Sequence, residues 1–493
     1  MVEGSGTDAD GRYQLLDDKV SRNRSRGFWN TLLAPFSWLK MLAYETHWSF
    51  VCGVLSVYGI SQGLGKGFNR VATEFYMKDY LRVQPSESQV YQSIVKLPSF
   101  VKPLWGFFTD VIPIMGYRRR PYFIIAGILG MVSMVGIFSQ EKLGVVPAVM
   151  LLMGWSVGMA IADVTIDACV AQNSNARPTL AADMQSLCGL SSSIGSLVGF
   201  FLSGILVHQL GPKGVYGLLS IPAGLIVLNG VALKEPRKSG VPYDQAKEKF
   251  LNSGRAMWRA LKCPVVWRPC LYMFASVSLG CGIYEGMFYW FTDAKDGPRI
   301  SQEMVGFIFA IGAIGALMGV ILYQNFLKNY PFRELLFYTQ FAFALIGLLD
   351  LLLVFRLNLK IGIPDSAFIV MDECVTQIMS KLKWMPLLVL SAKICPPGIE
   401  GTFFALLMSI DNVSVMLSTW GGGLVLRLLN VTRTEFGNLW LAIVIRAAMR
   451  LIPVALLFLI PEGHPGMYLL PDEVMHNAQP GRPDSENAQE RLC

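Results

Sequence analysis

VVPAVMLLMGWSVGMAI, residues 145–161, runs for seventeen residues without a charge. A helix that crosses a bilayer needs about 20 mostly apolar residues. Helices and closed barrels are the structures that satisfy every backbone polar group in lipid. A barrel would alternate apolar and polar residues along strands of about ten residues, and here the apolar residues are contiguous. The stretch therefore reads as the body of a membrane helix. Phe123–Phe138 and Val198–Leu210 repeat the pattern almost free of charge. A buried helix of a soluble protein accounts for one such run, but not for ten or more. Composition agrees: 53% of the 493 residues are hydrophobic and 16% charged, against about a quarter charged in soluble domains.

Working outward, apolar runs place spans near 48–68, 88–109, 121–139, 145–169, 183–208, 214–233, 270–292, 303–325, 334–355, 366–391, 402–427 and 437–460. A basic stretch from Lys234 to Arg268 separates six spans from six. The expected organisation is a polar tail over 1–46, a six-helix half over 47–233, a basic linker over 234–269, a second half over 270–461 and a Pro-rich tail over 462–493. Twelve spans put Arg22, Arg24, Arg26, Arg118, Arg119, Arg120 and the linker on one side. The positive-inside rule makes that side cytosolic, with both tails. The net charge of +7 is accounted for in this way and implies no nucleic acid. Nine scattered cysteines without a CxxC pair read as small hydrophobes. Glu3, Asp8, Asp10, Asp17 and Asp18 argue against a plastid transit peptide, which leaves the plasma membrane or the vacuolar membrane.

Charges inside spans are costly in lipid and therefore face a cavity or a partner. Asp163 and Asp167 lie four residues apart, on one helix face. Arg446 and Arg450 repeat that spacing, and Glu373, Gln377 and Lys381 share a face of span ten. Lys102, Glu285, Asp350 and Asp411 stand alone. The alternative to a ligand-facing role is internal ion pairing; for Asp163 and Asp167 the partners would be Lys102 or Arg177. Small residues recur in step at Ser191, Gly195, Gly199 and Ser203, and at Gly312, Gly315 and Gly319, a pattern that lets helices approach closely. HExxH and P-loop signatures are missing, and the four histidines have no ligand spacing. No enzyme, catalytic residue, metal or cofactor is expected.

Gly106-Phe107-Phe108-Thr109-Asp110 and then Gly116-Tyr117-Arg118-Arg119-Arg120-Pro121 lie between spans two and three. They resemble the loop motif of the major facilitator superfamily, with Val111–Met115 as an insertion. The resemblance implies a cytoplasmic gate of Gly106, Asp110, Gly116, Arg118, Arg119 and Arg120, in which a carboxylate holds arginines until an interface opens. The plainer alternative is a basic loop of the positive-inside kind.

Lys102-Pro103-Leu104-Trp105-Gly106, Ala162-Asp163-Val164-Thr165-Ile166-Asp167-Ala168, Met385-Pro386-Leu387-Leu388-Val389-Leu390 and Gly401-Thr402-Phe403-Phe404-Ala405 narrow this further. With the insertion, they resemble the folate–biopterin transporter family. The likeness runs from about Gln62 to Pro461, and the second half is nearest to plant members. It implies an all-α membrane protein of the major facilitator fold, with twelve transmembrane helices in two six-helix halves, that moves folates or pterins. The substrate is then a small molecule, the bilayer is the solvent and protons are a candidate partner. A pterin ring would suit Gln62, Asp163, Asp167, Tyr289 and Trp290, and a carboxylate tail would suit Lys381 and Arg446. Glu285, where the wider family has small residues and proline, marks a departure in span seven. Another organic anion or heteroaromatic metabolite therefore stays open as cargo, as does a receptor that binds without transporting. Two carboxylates one turn apart resist carrying two charges together, so Asp163 and Asp167 form the candidate proton-coupling pair.

Cysteines placed singly at Ser239 and Ser485 are expected to escape a membrane-impermeant thiol reagent on intact cells. Labelling of either from outside overturns the proposed topology.

Overall fold

A computed structural model of the chain describes residues 28–233, 235, 237, 255, 258, 261–393 and 400–461. The described elements are helical, apart from one bridge between Ile114 and Tyr117. After a first helix at Phe28–Thr46, twelve helical segments follow among the described residues: spans one (48–80), two (85–111), three (120–139), four (145–176), five (181–210), six (212–232), seven (264–293), eight (302–327), nine (332–354), ten (365–393), eleven (400–428) and twelve (439–459). Among the described residues, six helical stretches are long and apolar enough to cross a membrane by length and composition alone. One of them, Pro178–Ala232, contains two spans. Gly211 at φ 68° breaks the helix, and Pro212 starts the next one without needing a backbone donor. The remaining segments carry charges or interruptions, such as the Leu279–Ile283 break in span seven.

Two boundaries differ from expectation. Span one runs to Tyr80 and not to 68, because Lys66, Arg70, Glu74 and Lys78 continue the helix where composition suggested a loop. Parts of it, Leu55–Leu64 and Tyr76–Tyr80, wind as π-helix. The second difference concerns the 1–46 segment, read as a polar tail. Its last part is the helix Phe28–Thr46, with Leu42 fully buried and the Trp38 indole donating to Asp183 at 2.8 Å. The rest of that segment, most of the basic linker and the tail after 461 lie outside the described residues.

Glycine seams hold the bundle together. A Cβ at Gly63 would lie 2.8 Å from Gly195 Cα, and one at Gly67 would lie 2.4 Å from the Gly199 carbonyl carbon, so spans one and five touch backbone to backbone. Gly204 and Gly306 join spans five and eight in the same way. In the second half Gly312, Gly315 and Gly319 seat span eight on Glu373, Cys374 and Ile378 of span ten. The small-residue ladders are thus packing seams, where dispersion replaces the hydrophobic drive that lipid does not supply.

Gly67→Leu should wedge spans one and five apart, at a cost of about 1–3 kcal/mol. A lowered Tm in detergent is the expected readout. Gly224→Ala, where an added Cβ meets nothing within 4 Å, should leave Tm unchanged.

Candidate functional site

Gln62, Lys66, Arg70, Glu74 and Lys78 recur at every fourth residue of span one, a spacing that sets each beside the one before it in a stripe winding slowly round the helix. Gly63 and Gly67 press another face of the same helix against span five. The polar stripe is left facing the space between the two halves, where a cavity of about 520 Å³ opens. Lys66, Arg70 and Glu74 line it from span one, and Gln92 and Lys96 from span two. Asp372, Glu373 and Gln377 line it from span ten, and Arg446 and Arg450 from span twelve. Aromatic rings complete the wall, among them Phe200, Phe288, Phe309 and Phe343.

Polar groups on the wall are mostly held within their own half. Arg70 bridges to Glu74 at 2.7 Å and lies over the Phe309 ring at 5.6 Å. Arg446 donates to Asp350 at 2.5 Å and to the Gly347 carbonyl at 2.6 Å. The Gln377 amide donates to Glu373 at 2.8 Å. Arg450 lies 4.0 Å over Phe343. The Lys66 and Lys96 side chains, open to the cavity, make no hydrogen bond or ion pair among the described residues.

At the end of the bundle away from the basic linker, the halves are tied directly. Lys78 pairs with Asp293 at 2.5 Å, and Arg433 reaches Asp293 at 4.0 Å. The Gln89 amide donates to the Gly282 and Thr419 carbonyls at 2.5 and 2.6 Å. Glu285, 3% exposed, accepts from Ser88 and from Gln92, each at 2.9 Å. The same Gln92 amide donates to Glu74 at 3.1 Å, so one side chain joins carboxylates from both halves. Tyr289 is fully buried here and donates to the Val83 carbonyl at 3.1 Å. Trp290 packs in the core of the second half.

Toward the linker end, Asp163 accepts from both Gln62 and Lys102, and Asp167 accepts from Tyr58. Lys381 lies 5.0 Å over the Trp384 ring and packs against Gly319, beside the cavity wall. Of the residues expected to touch substrate, Arg446 is therefore on the wall. Gln62 and the two aspartates form a cluster one turn below Lys66, while Glu285, Tyr289 and Trp290 belong to the closed end.

The 116–121 loop is anchored in an unexpected way. Backbone N–H groups of Arg118, Arg119 and Arg120 donate to the Glu235 carboxylate at 2.8 to 3.2 Å. An anion at the N-terminus of span three suits the helix dipole. Gly116, at φ 80°, turns the chain into this position. Arg119 is buried and donates to Thr109 at 3.1 Å, and Arg120 caps the Val231 carbonyl at 2.9 Å. Gly106 packs against Val164 of span four. The Asp110 side chain, the other half of the expected latch, lies outside the described residues.

The sequence reading missed Lys66, Arg70, Glu74, Gln92, Lys96 and Glu235. For the span-one residues the signal was present, as a polar repeat of four continuing an apolar run. For Glu235 none was, because its role is to cap a helix more than a hundred residues away.

Comparison with known proteins gives a consistent picture. Residues 62–468 match the BT1 family. "Probable folate-biopterin transporter 2" of Arabidopsis thaliana is 59% identical over 448 residues, 91% of this chain and 90% of the relative. The "Folate-biopterin transporter" of a Synechocystis strain is 30% identical over 433 residues, 86% of this chain and 84% of its own. Among solved structures, a nucleoside transporter aligns with a TM-score of 0.62 at 13% identity, covering 84% of this chain and 98% of its own. That likeness carries the fold, which is the major facilitator arrangement of twelve helices in two six-helix halves.

Arg446→Gln leaves Asp350 buried without its cation, and breaking a buried pair costs about 3–5 kcal/mol. Thermal unfolding in detergent should show a marked loss, and Asp350→Asn added to it should recover part of that loss.

Proposed function

Because the chain belongs to the BT1 family, we propose that it carries folates or related pterins across its membrane by alternating access. The observation that supports this most is the cavity: about 520 Å³, between two halves, with aromatic rings and opposed charges on its wall. The ties between halves through Asp293, Gln89 and Glu285 gather at one end. A carrier whose cavity is closed on one side in this way faces the other side. With the basic linker in the cytosol, this is the inward-facing arrangement. Rocking of the halves would part Lys78 from Asp293 and Gln92 from Glu285, and so open the far end.

A folate combines a flat ring, hydrogen-bonding at its edge, with a tail of carboxylates. Phe288, Phe309 and Phe343 offer faces for the ring, and the bases of the wall suit the tail. The Gln62–Asp163–Lys102 cluster and the Tyr58–Asp167 pair stand between the cavity and the linker side, which suits Asp163 and Asp167 to proton coupling. The Glu235-anchored arginine loop closes the N-terminal half below them.

Vesicles holding the purified protein should take up labelled folate or pterin saturably, above a panel of unrelated organic anions. Saturable binding without flux would instead indicate a receptor, and preference for another anion would reassign the cargo. Asp163→Asn or Asp167→Asn should abolish accumulation driven by an imposed pH gradient and keep exchange of labelled for unlabelled substrate. Wild-type uptake indifferent to the gradient removes the coupling.

A further inference from the structure

The cavity wall is not evenly charged once groups that satisfy each other are set aside. Arg70 and Glu74 cancel on the first half, and Arg446 and Asp350 cancel on the second. On the first half this leaves two cations, Lys66 and Lys96, that make no ion pair among the described residues, with Glu74 and Glu285 the carboxylates that act on Lys96. On the second half it leaves two adjacent carboxylates, Asp372, which lies against Asp350 of that pair, and Glu373, together with the ring-stacked Arg450.

Two details of these groups bear on what they can hold. Asp372 Oδ1 is a buried acceptor with no hydrogen-bond partner, an arrangement that is costly unless a donor arrives. The lysines sit where the helices place them with care. Lys66 projects from the glycine-anchored stretch of span one. Lys96 occupies the break where the Pro85–Val95 helix ends and the chain turns toward Pro98. Cations in a membrane-enclosed cavity call for an anion.

We infer that the ligand lies across the two halves, with its anionic end on Lys66 and Lys96 and a donor-bearing ring edge on Asp372 and Glu373. This rests on the transport reading above and deepens it. A simple organic anion would satisfy the lysines and leave the carboxylates facing each other's charge. A molecule with two neighbouring N–H donors at one end and carboxylates at the other satisfies both walls. The amino-oxo ring edge of a pterin supplies such donors to a carboxylate fork, and the Gln377 amide holds Glu373 in place to accept them. A glutamate tail supplies the anion. The ring would lie among Phe288, Phe309 and Phe343. A ligand held at both ends belongs to neither half alone, so its binding favours the state in which both walls are near.

Binding of three probes to the purified full chain in detergent separates the ends: folate, a tail-less pterin, and the aminobenzoyl-glutamate fragment. Lys66→Gln and Lys96→Gln should each weaken folate and the fragment about tenfold, the factor that about 1.4 kcal/mol gives, and leave the pterin unchanged. Asp372→Asn and Glu373→Gln should weaken folate and the pterin by a similar factor and leave the fragment unchanged. Gly224→Ala, where an added Cβ meets nothing within 4 Å, should bind all three probes as the wild type does and provides the folded control. A lysine variant that weakens the pterin as much as the fragment, at unchanged Tm, overturns the assignment. So does a carboxylate variant that weakens the fragment. If the wild type binds folate and pterin but the crossed pattern fails, the orientation alone is wrong. If the wild type binds none of the three, the transport reading falls and this inference falls with it.

Discussion

A charged or amide side chain within a membrane helix has to meet a partner or water, and this requirement organises the molecule. Lys102 meets Asp163, Arg446 meets Asp350, and Lys383, buried, donates to the Ser276 carbonyl at 2.8 Å. What is left over lines the cavity. Apolar surface distinguishes little in this setting, since lipid is as apolar as the helix faces it covers. The polar residues therefore decide which helix faces turn inward, and the glycines decide how close the helices come.

Span one shows both at once. Gly63 and Gly67 fix its distance from span five, and the stripe from Gln62 to Lys78 passes through all three functional zones. Gln62 joins the aspartate cluster toward the linker, Lys66 to Glu74 line the cavity, and Lys78 closes the far end on Asp293. Its π-helical stretches are the kind of helix irregularity that gathers at functional sites.

Span seven is the counterpart in the second half. Its break at Leu279–Ile283 exposes the Gly282 carbonyl, which Gln89 takes up, and the helix that restarts at Tyr284 brings in Glu285. Glu285 was set apart in the sequence as a lone charge in span seven. It fastens the halves through Ser88 and Gln92, so that charge is taken up at the far end.

Much of this was determined by the sequence alone. Long uncharged runs require membrane helices, because no other arrangement of those residues satisfies the backbone in lipid. The basic loops give an expected topology, and the quoted motifs resemble one family closely enough to imply the fold. The i, i+4 rule put Asp163 beside Asp167, and Arg446 beside Arg450, on shared faces. Which partners those faces meet was decided only by the tertiary structure. Gln92 and Glu285 are 193 positions apart, and Arg118 and Glu235 are 117 apart. Periodicity shows that a polar residue needs a partner, but the partner's identity depends on how close the glycine seams let distant helices come. The same limit explains span one. Hydropathy ends a helix where charges begin, whereas the folded protein continues it, because those charges face a cavity that does not exist until both halves are in place.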